Sequence, residues 1–141
     1  MGGKYGKQHR ERERRETRES LASFDEETAW SPNPGEPTVQ EQETNYISET
    51  LLIAQRTVRY VRNDSIVEFA VVVQERVGQD QWREVLCIDT CNHGTVHRHR
   101  DGDHTQLEAI APITDQGVVQ DGYWEAVGEA YDLVYNEGAT P

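Results

Sequence analysis

Residues 66–74, Ile-Val-Glu-Phe-Ala-Val-Val-Val-Gln, form the most apolar run of the chain and are rich in β-branched side chains. Val67, Phe69, Val71 and Val73 share one parity and Ala70 and Val72 the other, so a strand here offers apolar side chains to both sides of a sheet. Such a strand belongs in the middle of a sheet, which must then be covered by something else. No stretch approaches the roughly 18 apolar residues that a membrane-crossing helix needs, and the charged N-terminus lacks the apolar segment of a signal peptide. A cytoplasmic protein without membrane contact is the expectation.

The neighbours of this run extend the sheet. Leu51-Leu52-Ile53-Ala54 through Val58, Tyr60 and Val61 reads as a strand, joined to it by the turn residues Asn63-Asp64-Ser65. Gly78-Gln79-Asp80-Gln81 turns the chain again into a third strand, Trp82 to Thr90, with Trp82, Leu86 and Ile88 on one face and Val85, Cys87 and Asp89 on the other. A kink at Asn92-His93-Gly94 leads to a fourth strand over the histidine-rich segment. Beyond it, Thr105-Gln106-Leu107-Glu108 matches a capping box and predicts a short helix stopped by Pro112. Asp121 caps a longer helix to about Asn136, whose Trp124, Val127, Tyr131 and Val134 form a stripe for the sheet. The fold class predicted is α+β: a small antiparallel meander of about four strands, packed on one face by a C-terminal helix.

The front of the chain has a different character. Residues 1–19 hold seven of the fourteen Lys and Arg and four Glu, leaving the remainder near −15 within a total of −12. Mixed charges from Lys7 to Glu19 support i,i+4 pairs without an apolar face, as in a frayed helix or disordered arm. The prolines of Ser31-Pro32-Asn33-Pro34-Gly35-Glu36-Pro37 then break any helix. This divides the chain into a charged arm and Pro-rich linker, 1–37, whose removal should barely alter melting, and a single domain, 38–141. The carboxylate density is similar to that of salt-adapted archaeal proteins, an ordinary acidic bacterial protein being the other reading. Either surface repels free nucleic acid over most of its extent.

Chemistry concentrates between Cys87 and Arg100. Asp89, His93, His97 and His99 lie within this segment, and on a strand His93, Thr95, His97 and His99 share one parity while Val96, Arg98 and Arg100 share the other. Three readings compete. In the first, His93, His97 and His99 exchange protons with a phosphodiester, Asp89 orients an imidazole, and Arg98 or Arg100 binds the substrate and stabilises developing charge. In the second, the His-x-His pair chelates a divalent metal ion with His93, Asp89 or His104 completing the shell; zinc, manganese and iron all suit. In the third, the histidines merely pair with acidic neighbours such as Asp101 and Asp103. A zinc site from Cys87, Cys91, His93 and His97 lacks the long loop that brings such pairs together. Cys87 and Cys91, roughly 13 Å apart on a strand, are too distant for a disulfide. No phosphate-cradling glycine loop is present, so no nucleotide cofactor is expected.

The segment Trp82-Arg83-Glu84-Val85…Asp89-Thr90…His93-Gly94…His97-Arg98-His99 resembles the core of an uncharacterised family of small bacterial and archaeal proteins. More distantly, it is similar to the TumE family of toxins from toxin-antitoxin systems. The likeness covers residues 47–136 in layout and is specific from Trp82 to His99, with Cys87 standing where the family carries a basic residue. It implies a shared fold and a toxin-like or RNA-processing role, with an antitoxin or other protein as partner and RNA as a further one. The alternative is a non-catalytic binding or regulatory module, or a metal-binding protein.

Overall fold

The computed structural model describes residues 30–90 and 94–137. Six antiparallel strands follow one another in chain order: β1 (Thr38–Tyr46), β2 (Leu51–Tyr60), β3 (Ile66–Gly78), β4 (Gln81–Asp89), β5 (Thr95–Arg100) and β6 (Asp103–Pro112). The one helix among the described residues, α1 (Gln116–Glu137), follows β6. The α+β meander is as expected, with two strands more than the sequence signalled. β1 has all nine residues exposed, so no buried face marked it as a strand. β6 replaces the short helix expected around Thr105–Leu107. The reason is the two-residue turn Asp101-Gly102, whose φ angles of 55° and 74° suit the hairpin geometry that Asp-Gly favours. That turn pairs Arg100 with Asp103 and carries the chain back along β5.

The core lies on one side of the sheet. Ile53, Phe69, Val71, Val73, Leu86, Ile88 and Val96 form a buried cluster with Val119, Tyr123, Ala126, Ala130 and Val134 of α1. The helix runs along β3, and Gly122 permits the approach: a Cβ there would stand 3.3 Å from Val96 Cγ2. α1 starts five residues before Asp121. Asp115 is its cap, accepting a hydrogen bond from Val118 N–H at 3.1 Å, and Asp121 is an exposed residue of the helix. The stripe also differs. Trp124 is 58 % exposed, whereas Ala126 and Ala130 are buried, because alanines let the helix sit close while Trp124 points off the seam. Trp124→Ala should therefore cost under about 1 kcal/mol in chemical denaturation.

The segment before β1 is tied to the sheet. Trp30 packs against the core cluster and donates its N–H to Ile113 O at 3.1 Å, Asn33 N–H reaches Tyr60 Oη at 3.1 Å, and Glu36 pairs with Arg62 at 2.7 Å. Residues 30–37 are thus not a free linker. Removing residues 1–37 should cost roughly 1–2 kcal/mol through the lost Trp30 packing alone, measurable as a lower melting temperature. The expected charged arm lies outside the described residues. No helix among the described residues is long and apolar enough to cross a membrane.

Candidate metal centre

The register of β4 and β5 builds the site. Cys87 pairs with His99 and Asp89 with His97, so four polar or ionisable side chains occupy adjacent positions on one face of the sheet. The face opposite carries Leu86, Ile88, Val96 and the helix. A bulge in β4, where Val73 and Gln74 pair with Leu86 and Glu84, changes the parity upstream of Leu86. Glu84 and Trp82 consequently join the face of Cys87 and Asp89, and Trp82 meets Tyr46 at 6.2 Å instead of facing the helix with Leu86 as the sequence suggested.

Asp89, His97 and His99 converge, with one ligand atom from each lying within 4.8 Å of the others. His97 Nε2 is 3.2 Å and His99 Nε2 3.9 Å from Asp89 Oδ1. His97 is fully buried and its Nδ1 lies 2.6 Å from Thr95 Oγ1, which fixes the ring with Nε2 toward the carboxylate. Asp89 Oδ2 accepts a hydrogen bond from the Cys87 thiol at 3.5 Å. Two atoms stand out: Asp89 Oδ1 and His99 Nδ1 are buried and have no hydrogen-bond partner. The contact of Oδ1 with His97 is close enough for charge attraction but is not aligned as a hydrogen bond. Buried polar atoms rarely stay unpaired without cost.

Electrostatics leave this set ready to donate electron pairs. Burial pushes the Asp89 carboxyl up, but the close contact and charge of His97, with His99 and the Cys87 thiol adding to it, hold it below its ordinary range. Burial pushes His99 down; Asp89 opposes this, His104 and His97 reinforce it, and the net shift is downward. A carboxylate and a neutral imidazole result near neutral pH, the forms in which both ligate.

His104 borders the site without entering the triad. Its ring lies 4.2 Å from that of His99, and its Nε2 is 2.7 Å from Glu84 Oε2 at the exposed rim. His93, expected at the site, falls outside the described residues, as does Cys91. The two arginines are elsewhere. Arg98 lies on the helix side, where its Nε donates to Glu129 Oε2 at 2.8 Å and its Nη1 is 3.0 Å from Glu108. Arg100 is exposed at the rim, 3.9 Å from Glu108. Neither shares a face with the histidines, so their expected part in binding a substrate there is replaced by a structural one: Arg98 fastens β5 to α1 and β6. Arg98→Ala should lower stability by about 1–3 kcal/mol, the range for hydrogen bonds to charged groups, while leaving ligand binding at the triad intact.

Compared with known proteins, the chain matches no family model, no curated protein sequence and no solved structure.

Proposed function

We propose that the protein binds one divalent transition-metal ion through Asp89, His97 and His99. The observation that carries this reading is the convergence of three donor atoms within 4.8 Å while two buried polar atoms of the same residues have no partner. An ion would satisfy Asp89 Oδ1 and relieve the desolvation that a buried carboxylate otherwise bears. Two imidazoles and a carboxylate suit zinc, cobalt, manganese or iron better than calcium or magnesium, which favour oxygen shells. Thr95 behind His97 is a partner of the kind that orients a metal ligand.

Acid-base cleavage of RNA, implied by the resemblance, needs imidazole edges that a polymer can reach. His97 is 0 % and His99 4 % exposed, and the candidate cations lie across the sheet or at its rim. The same constellation therefore serves an ion better than a phosphodiester.

Isothermal titration of the full chain with zinc and with cobalt tests the reading. One ion per chain is expected, with His97→Ala and His99→Ala each weakening binding by at least about tenfold, and His104→Ala leaving it nearly unchanged. Binding that survives both triad substitutions, or no binding at all, overturns it.

A further inference from the structure

Cys87 is 4 % exposed and directly opposite His99 across the strand pair, on the face that carries Asp89 and His97. Short side chains, Cys87 and Asp89, stand on β4, and the two long imidazoles stand on β5. Their backbone positions mark the corners of one cross-strand cell, roughly 5 Å by 6.6 Å. The Asp89 carboxylate spans the middle of it, with Oδ2 on the thiol at 3.5 Å and Oδ1 toward the imidazoles.

We propose that Cys87 is a fourth ligand, its thiolate closing a Cys-Asp-His-His shell around the ion held by Asp89, His97 and His99. The proposal rests on the metal reading above. The site it would complete is marked by His99 Nδ1 and Asp89 Oδ1, buried without partners; the thiol joins it through Asp89 Oδ2 at 3.5 Å, and His104, the other neighbouring donor, is engaged with Glu84 at the rim. Nucleophilic work does not suit Cys87, because a buried thiol beside a carboxylate is inert. As a ligand its burial is an advantage. On binding, the S–H bond breaks, its proton passes to solvent, and the sulfur electron pair forms the metal bond in place of the hydrogen bond to Oδ2. No oxidation change occurs.

The consequence concerns what the ion does. Three protein ligands leave a position for water or substrate, as in hydrolytic sites, whereas four close the shell, as in structural ones. A thiolate also favours zinc and cobalt over manganese. The ion thus pins β4 to β5 and has no vacancy at which to activate water.

Cobalt(II) titrated into the full chain under reducing conditions reads the ligands directly. The expected spectrum combines intense visible ligand-field bands, the mark of a four-coordinate ion, with a near-ultraviolet sulfur-to-cobalt charge-transfer band. C87S should abolish the charge-transfer band and weaken binding by at least about tenfold, while C91S retains both. Ligand-field bands without charge transfer in the unmodified chain would overturn the thiolate and leave the three-ligand site standing. A charge-transfer band lost in C91S but kept in C87S would do the same. Absence of any cobalt spectrum removes the metal reading itself, and the thiolate with it. Because charge transfer retained in C91S already assigns the sulfur to Cys87, a poorly folded C87S does not shelter the proposal.

Discussion

Truncating Phe69 to alanine is expected to lower unfolding free energy by about 3–5 kcal/mol. The side chain is fully buried in the first half of β3, beneath the helix, and its ring meets Tyr123 edge-on at 5.7 Å and 73°. A Cβ at Gly122 would stand 3.6 Å from the ring, so the phenyl fills the space that the glycine opens. The site collapses poorly when emptied. Phe69 N–H donates to Thr90 Oγ1 at 3.0 Å and its carbonyl accepts from Thr90 N–H at 3.1 Å, holding the strand in place around any cavity. Against a total stability on the order of 5–15 kcal/mol, the loss approaches unfolding. Urea denaturation should show the midpoint falling sharply at constant m-value. A cost below about 1.5 kcal/mol, comparable to that of exposed Trp124, would mean that α1 is not seated on β3.

The strands that could be read in the sequence are those whose side chains bury something. β2, β3 and β4 announce themselves through β-branched alternation and turn residues at 63–65 and 78–81. β1 buries none of its side chains and carries no such signal. At β6 two local signals conflict: the capping pattern from Thr105 to Glu108 favours helix, while Asp101-Gly102 specifies a hairpin. The hairpin prevails because β5 supplies a paired edge that no local window contains. The stripe on α1 departs from the sequence pattern for a related reason, since Trp124 outweighs Ala126 and Ala130 in hydrophobicity although the small residues are the ones that fit the seam. At the site, period-two alternation was enough to place His97 with His99 and against Arg98. That Asp89 stands opposite His97 depends on register, as does the burial of the cluster. The β4 bulge that moves Glu84 and Trp82 to this face has no signature in the residues around Val85.

Metal should raise the melting temperature by roughly 10–20 °C: an ion at about 100 times its dissociation constant contributes about 2.7 kcal/mol, and each kcal/mol is worth about 4–8 °C in a domain of this size. The shift should depend on pH with a definite sign. Protons compete with the ion for the donors of the site, His99 and Asp89 among them, so the gain is full near pH 7–8 and declines on acidification below about pH 6.5. The metal-free protein has a weaker slope of the same sign. His99, facing His97, His104, Asp89 and Glu84, has a folded pKa below its ordinary value, so the unfolded chain binds the proton more readily and stability falls as pH drops below about 6.5. Asp89 adds a second loss at lower pH. Its folded pKa is also depressed, so its contribution is present above the ordinary carboxylate value and disappears as pH falls through the folded one. Thermal unfolding from about pH 8 to pH 4, with zinc and with a chelator, should give two curves that converge on acidification, because ion and protons compete for the same donors. Curves that stay parallel down to about pH 4 would place the ion on ligands other than these histidines.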